Sequence, residues 1–186
     1  EDLRHKVISL MANDEASYDE LKYETGGPGP VVVVYNPAKV ADYGELEKVL
    51  AEAAGDAGLP EPVWLATTIA DPGVGQARRA IAMKPSVVIA AGGDGTVRQV
   101  AGELAGTGIP LGLIPIGTGN LLARNLALPL DSLRNLASIA ITGRSRRIDL
   151  GWISAPPATP ELRADITTFD PEGVPFEGDV PFVVIA

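Results

Sequence analysis

The feature that most constrains how this chain can fold is a short apolar run followed at once by a cluster of glycines. Residues Val87–Ala91 read Val-Val-Ile-Ala-Ala, and a run of this length and β-branched content is typical of a strand buried in a parallel sheet. The next four residues are Gly92-Gly-Asp-Gly95. From Thr96 to Ala105 the apolar residues lie three and four positions apart, which predicts a helix. The stretch is therefore predicted to be a strand, a glycine turn and a helix N-terminus.

A glycine turn at a helix start is suited to phosphate, because no Cβ separates backbone and ligand and unpaired N–H groups attract anions. Asp94 would repel phosphates unless a cation lay between them, so its presence indicates Mg²⁺ with Asp94 as ligand. Two alternatives stay open: Asp94 only caps the helix, or the turn binds nothing. The predicted binding residues here are Gly92, Gly93, Asp94, Gly95 and Thr96.

Composition excludes several classes of function. The 186 residues are 46% hydrophobic and 21% charged, which is typical of a globular chain with a core of its own. The net charge of −9 argues against a nucleic-acid partner. There is no cysteine and one histidine, His5, so disulfides, thiolate metal sites and histidine-based triads are not expected. No apolar run is long enough to predict a transmembrane helix.

Residues 31–142 alternate between predicted strands and predicted helices, which indicates a doubly wound parallel α/β sheet flanked by helices. The predicted strands are Val31–Tyr35, Val63–Thr67, Val87–Ala91 and Ile109–Ile114. The predicted helices cover 42–57, a segment capped by Asp71, 96–105, Leu121–Leu126 and Asp131–Ile141.

Several polar or glycine segments directly follow these strands. Ligands of such sheets bind at the carboxyl ends of the strands, so the segments are predicted to line one edge. They are Asn36, Thr67, the first glycine turn, and a second turn made of Gly117, Thr118, Gly119 and Asn120. The alternative is that Asn36, Thr67 and the second turn are ordinary polar turns.

The two ends of the chain have a different character. Residues 1–30 are predicted to form a helix and a linker, because Leu3, Val7 and Leu10 have helical spacing and a Gly/Pro-rich stretch follows. Residues 143–186 are predicted to begin a β-rich second domain, with strands at Arg144–Ile153 and Phe182–Ala186 around a proline-rich loop.

Arg144, Arg146 and Arg147 form a small basic run on this acidic chain. They would either contact an anionic membrane surface or lie in a solvated interdomain turn.

Two motifs together resemble the diacylglycerol kinase catalytic domain family, to which sphingosine kinases are related. They are Gly92-Gly-Asp-Gly-Thr96 and Pro115-Ile-Gly-Thr-Gly-Asn-Leu-Leu-Ala-Arg-Asn125, within roughly residues 31–153. The resemblance implies an ATP-binding domain like those of phosphofructokinases and NAD kinases, then a β-sandwich domain, with the lipid between them. It also implies transfer of the γ-phosphoryl of Mg-ATP to a lipid hydroxyl, with phosphates held by the N–H groups of Gly93, Gly95 and Thr96.

The resemblance is incomplete in two places. After Asn36-Pro37 this chain reads Ala-Lys-Val40, where the family usually has a variable residue and then Ser-Gly. The family's general base is expected beyond Ala186, so the chain by itself is expected to be inactive. An NAD kinase-like phosphotransferase and a non-catalytic nucleotide-binding module remain alternatives. A cytoplasmic protein that visits the membrane peripherally is expected, with a homodimer left open and the lipid undetermined.

Overall fold

The computed structural model describes residues 3–12, 29–155 and 178–184. The strands of this part are β1 Leu3–Ala12, β2 Val31–Tyr35, β3 Val63–Ala66, β4 Val87–Gly92, β5 Leu111–Pro115, β6 Arg144–Ala155 and β7 Gly178–Val184. The helices are α1 Tyr43–Asp56, α2 Val74–Ala82, α3 Asp94–Leu104, α4 Leu121–Asn125 and α5 Leu133–Thr142.

All of these strands belong to one seven-stranded sheet, in the order β3-β2-β4-β5-β1-β6-β7. Strands β2 to β5 are parallel to their neighbours, with Tyr35 opposite Ala66 on one side and Ala91 on the other. The chain goes from β2 outward to β3 and then returns past β2 to β4. The crevice between β2 and β4 is therefore the switch point at which ligands of doubly wound sheets bind.

Helices cover both faces of the parallel strands, as predicted. Helix α1 packs against α5, and α2 packs against α3, so each pair covers one face. The apolar runs Val31–Val34 and Val87–Ala91 are buried completely or nearly so between these layers. Their continuous rather than alternating hydrophobicity is explained by this cover on both sides. The predicted doubly wound parallel sheet is confirmed.

The prediction of a helix near the N-terminus is wrong, because residues Leu3–Ala12 form strand β1. This strand pairs antiparallel with β6 along its whole length, from Leu3 opposite Ile153 to Ala12 opposite Arg144. It is also parallel to β5, with Leu10 opposite Leu111. A helix of this length is only marginally stable alone, whereas a long partner strand supplies hydrogen-bond partners along one whole side of the segment. The linker predicted before residue 29 lies outside the described residues.

Strands β6 and β7 are antiparallel, as the alternating pattern of β6 predicted. They extend the parallel sheet through β1, and Pro181 of β7 packs on Gly102 of α3. Arg144, Arg146 and Arg147 lie in β6 and not in a turn, so the prediction of an interdomain turn is wrong. Most of the predicted proline-rich loop lies outside the described residues, and a second domain beginning at residue 143 stays a prediction.

The start of α2 differs from the prediction. Gly73, with a φ of 143°, is the N-cap residue, and the helix begins at Val74. Asp71 precedes the N-cap residue but still accepts hydrogen bonds from the start of the helix. Its Oδ1 accepts the N–H of Gly75 at 3.0 Å and that of Gly73 at 3.4 Å. A Cβ on Gly75 would lie 2.2 Å from the Asp71 carboxylate, which explains the glycine.

Replacing Asp71 with alanine is expected to lower the free energy of unfolding by about 1 kcal/mol, because the N–H groups of Gly73 and Gly75 at the start of α2 lose their acceptor. Urea denaturation measures the change. Asp56→Ala is the matched control: this exposed carboxylate lies in the last turn of α1, where negative charge is unfavourable. An equal loss in both variants would contradict this role of Asp71.

Candidate functional site

Hydrogen bonds just beyond the strand ends bring the predicted site segments to one edge of the sheet. The Thr67 N–H donates to the Tyr35 carbonyl at 2.8 Å, and the Asn36 N–H donates to the Ala91 carbonyl at 3.0 Å. On the other side of β4, the Ile116 N–H donates to the Gly92 carbonyl at 3.1 Å. The ends of β3, β2, β4 and β5 are thereby joined in spatial order, so the predicted convergence at the carboxyl edge is confirmed.

The first glycine turn leads into α3 two residues earlier than predicted. Helix α3 begins at Asp94, and its N-cap residue is Gly93, which offers no side chain to the helix start. Asp94 therefore does not cap α3, and that alternative is wrong. In the part of the chain that the structure describes, the N–H groups of Gly95 and Thr96 have no hydrogen-bond acceptor. Such N–H groups carry the positive end of the helix dipole.

Close packing explains Gly92 of the first turn and Gly117 of the second. A Cβ on Gly92 would lie 2.6 Å from the Cβ of Thr96, whose side chain is buried against the strand end. A Cβ on Gly117 would lie 2.5 Å from the Cα of Gly93. The two glycine turns thus touch backbone to backbone. At Gly95, by contrast, a Cβ would meet nothing within 4 Å, so the space beside this residue is open.

The second turn is held by its own polar side chains. Oδ1 of Asn120 accepts the Gly117 N–H at 3.0 Å, and its Nδ2 donates to the Gly117 carbonyl at 2.8 Å. Asn120 itself has a φ of 50°, which asparagine tolerates better than most residues. Nε of Arg124 donates to the Gly119 carbonyl at 2.9 Å. The Asn120 amide therefore shapes the turn, while Thr118 and Gly119 are exposed at its tip.

Asp94 connects the two turns. Its Oδ1 accepts the N–H of Leu121, the first residue of α4, at 2.8 Å. A Cβ on Gly119 would lie 2.7 Å from Oδ2 of the same carboxylate, so glycine is needed for this approach. The sequence did not predict the contact, because it joins positions 27 residues apart. The exposed carboxylate remains able to bind a cation through Oδ2.

Asn36 and Thr67 are placed at the edge in different ways. The Asn36 side chain accepts the Ala38 N–H at 3.0 Å and so stabilises the turn after β2. Thr67 is buried at 5% exposure. Beside it, Nε2 of the buried Gln76 donates to the Ala66 carbonyl at 3.0 Å and anchors α2 to the end of β3. Sequence analysis missed Gln76, although a polar residue on the apolar face of α2, beside Ala77 and Ala80, was the available signal.

A single carboxylate is compatible with Mg²⁺ only if other ligands complete the coordination. In the described ranges no three His, Cys, Asp or Glu side chains are grouped so as to hold a metal ion. Mg²⁺ characteristically uses one or two carboxylates together with substrate phosphates and water. Asp94 beside the open N-terminus of α3 fits that pattern. The fold and this edge are those of the α/β class that binds ligands at a topological switch point.

Comparison with known proteins identifies the family within this class. The model of the diacylglycerol kinase catalytic domain matches residues 30–153 of the chain. This range contains both glycine turns and covers well over half of the 186 residues. The chain belongs to the diacylglycerol kinase catalytic domain family, as the two motifs predicted.

Individual relatives match over shorter stretches. The chain is 46% identical over 74 residues to "Diacylglycerol kinase" of Mycobacterium tuberculosis H37Rv, which is 40% of this chain and 24% of the relative. It is 38% identical over 91 residues to "Diacylglycerol kinase" of Bacillus subtilis 168, a match that covers 48% of this chain and 30% of the relative. It is 40% identical over 79 residues to "Probable lipid kinase YegS-like" of Pectobacterium atrosepticum, a match that covers 40% of this chain and 26% of the relative. The chain thus spans less than a third of these relatives.

None of the helices in the described residues combines the length and apolar character needed to span a bilayer.

Proposed function

We propose that this chain carries the ATP-binding half of a lipid kinase that transfers the γ-phosphoryl of Mg-ATP to a lipid hydroxyl. The observation that carries the proposal is the uncapped N-terminus of α3, with the second glycine turn packed against it, in a member of this family. A lipid as acceptor is supported by the names of the relatives, which are diacylglycerol and lipid kinases.

In this proposal the first turn holds phosphate through backbone groups. The N–H groups of Gly95 and Thr96 donate to phosphate oxygens, and the open space over Gly95 admits them. Gly117 closes the site from the other side, because its lack of a Cβ lets the second turn approach Gly93. Thr118 and Gly119 are exposed in that turn and would be available to a bound ligand. Asn36 and Thr67 line the same edge at the ends of β2 and β3.

Asp94 would hold Mg²⁺ through the carboxylate oxygen that does not accept the Leu121 N–H. When bound with ATP, the ion would neutralise part of the negative charge on the phosphates. The chain's own contribution is to orient the nucleotide. It does so with rigid turns, since both glycine turns are fixed by contacts within the protein.

Calorimetric titration of Mg-ATP into the 186-residue chain tests the nucleotide site. Gly95→Ala is expected to weaken binding about tenfold or more, because its Cβ would occupy the space of the ligand while touching no protein atom. Gly55→Ala in α1 also adds a Cβ that meets nothing within 4 Å and should leave binding unchanged. A well-folded parent chain that does not bind Mg-ATP would contradict the proposal.

The acceptor is tested separately on a chain extended to the length of the relatives, of which the 186 residues span less than a third. Radiolabelled ATP is supplied, with diacylglycerol in vesicles or NAD in solution as acceptor. Label transferred to NAD and not to lipid would replace the lipid kinase with an NAD kinase. Transfer to neither acceptor, with ATP binding intact, would reduce the proposal to a nucleotide-binding module.

A further inference from the structure

The amide of Gln76 in α2 is buried and uses only its nitrogen. Gln76 is 6% exposed, and its Nε2 donates to the Ala66 carbonyl at 3.0 Å. A carbonyl can only accept hydrogen bonds, so the amide is held with its nitrogen toward Ala66. Oε1, on the other side of the amide, is shielded from solvent and receives no hydrogen bond from the residues that the structure describes. Buried acceptors without a partner are uncommon and unfavourable, which makes this oxygen a candidate to bind a ligand.

The packing of the protein accounts for the Gln76 nitrogen but not for its oxygen. The Thr67 N–H donates to Tyr35 of β2, and the N–H and C=O of one trans peptide point in opposite directions. The Ala66 carbonyl therefore points away from β2, to the outer edge of β3, where no further described strand supplies a donor. Gln76 fills that need through Nε2. Its buried neighbours on α2 are alanines, which offer no side-chain donor to Oε1, so for this oxygen burial is a cost without a return.

Gln76 lies at the edge of the sheet to which the proposed phosphate site belongs. It is in the first turn of α2, and helical side chains incline toward the N-terminus of their helix, here the carboxyl edge of the sheet. The start of α2 also packs against α3, since a Cβ on Gly73 would lie 3.7 Å from the Thr96 carbonyl. Strand β3 is two strand spacings from β4, roughly 10 Å. A nucleotide whose phosphates bind at α3 spans such a distance with its ribose and base.

We propose that Oε1 of Gln76 accepts a hydrogen bond from the nucleoside part of the bound nucleotide and so helps to select which triphosphate binds. The inference rests on the proposed function and deepens it, because it assigns a residue to the part of ATP that the glycine turns do not hold. Ionised phosphates offer only acceptors and cannot satisfy another acceptor. The neutral donors of ATP are its ribose hydroxyls and the 6-amino group of adenine. A ligand without the matching donor leaves a buried oxygen unpaired, which is a strong basis for discrimination.

The loop between β3 and α2 is the part of the protein that must admit the nucleoside. Its residues 68–70 are exposed. The loop is closed by its own bonds, from the Thr68 N–H to the Asp71 carbonyl at 2.9 Å and from the Asp71 N–H to the Thr68 hydroxyl at 3.0 Å. The bond between Gln76 and Ala66 is not one of these, so the loop can shift while the amide stays in place. Loops with few buried side chains open at low cost in free energy.

Calorimetric titration of the 186-residue chain compares Mg-ATP with analogues that each lack one donor. They are 2′-deoxy-ATP, 3′-deoxy-ATP and purine riboside triphosphate, which has no 6-amino group. The parent chain is expected to bind one of them about tenfold more weakly than ATP, because Oε1 then stays unpaired. Gln76→Met keeps the length of the side chain but has no oxygen, and it should bind ATP and that analogue equally. Gln99→Met in α3 is the matched control, because it makes the same exchange at the other glutamine of the chain and should keep the parent's preference.

A preference for ATP that is present in the parent and in Gln99→Met but absent from Gln76→Met supports the inference and identifies the donor. Equal binding of ATP and every analogue by the parent overturns it, and this comparison does not depend on the folding of a variant. An unchanged preference in Gln76→Met also overturns it; if all nucleotides then bind more weakly and thermal unfolding occurs at a lower temperature, Gln76 is a structural anchor only. In each of these cases the parent binds ATP and the proposed function stands. A folded parent that does not bind Mg-ATP would remove the proposed function and this inference with it.

Discussion

Gly117→Ala is expected to separate the two glycine turns and to weaken Mg-ATP binding about tenfold or more. The added Cβ would lie 2.5 Å from the Cα and 3.4 Å from the N of Gly93, and 3.0 Å from Oδ1 of Asn120. The nearest of these is backbone at the end of β4, which cannot move without disturbing the sheet. Overpacking of this kind typically costs roughly 1–3 kcal/mol, and displacement of the turn would misplace the phosphate-binding groups.

Two measurements check this expectation: urea denaturation for stability and calorimetry for Mg-ATP binding. Gly95→Ala, in the same site, should lose ATP affinity without losing stability, because its Cβ would meet no protein atom. Gly117→Ala should lose both. A stable Gly117→Ala variant with the parent's ATP affinity would show that contact between the turns does not shape the site.

Two substitutions of Asp94 are expected to separate its structural contact from its proposed role as a metal ligand. Asp94→Ala removes the acceptor of the Leu121 N–H as well as the negative charge. Asp94→Asn keeps an oxygen that can accept this N–H but loses the charge. Both variants should bind Mg-ATP about tenfold or more weakly, because the carboxylate ligand is gone. Only Asp94→Ala should also lower the free energy of unfolding, by about 1 kcal/mol.

Titrations of ATP with and without Mg²⁺ give the decisive comparison for Asp94. Without the ion, Asp94→Asn should bind ATP as well as the parent or better, since a negative charge beside the phosphates has been removed. An equal loss of affinity with and without Mg²⁺ would contradict the metal role and leave Asp94 as a residue that holds the second turn. Leu121→Ser serves as a further control, because the substitution keeps the backbone N–H that Asp94 accepts.

The glycine turns illustrate how far the sequence could predict the site. Both turns and the strand ends at Asn36 and Thr67 were recognised from local patterns, and the structure brings them to one edge. The contacts of single side chains within the protein did not follow from local pattern. A helix cap is one alternative that the sequence allows for Asp94, yet Gly93 is the N-cap residue and the Asp94 carboxylate accepts the Leu121 N–H. The Asn120 amide, predicted to contact a ligand, is engaged with Gly117.

The N-terminal segment shows the opposite case, in which local pattern was misleading. The spacing of Leu3, Val7 and Leu10 suggested a helix, but the segment is strand β1, paired with β6 and β5. No signal within ten residues could reveal partners more than a hundred positions away in the chain. Strand propensity depends on such partners more than helix propensity does.

The sequence alone determined the buried strands, the glycine turns and the edge at which they meet, because burial and turn chemistry act over a few neighbouring residues. Only the tertiary structure decided which groups are free to bind a ligand and which are engaged. The contacts between Gly93 and Gly117 and between Asp94 and Leu121 exist because β4 and β5 are adjacent in the sheet. Strand order is a property of the whole fold, and the fine geometry of the site follows from it.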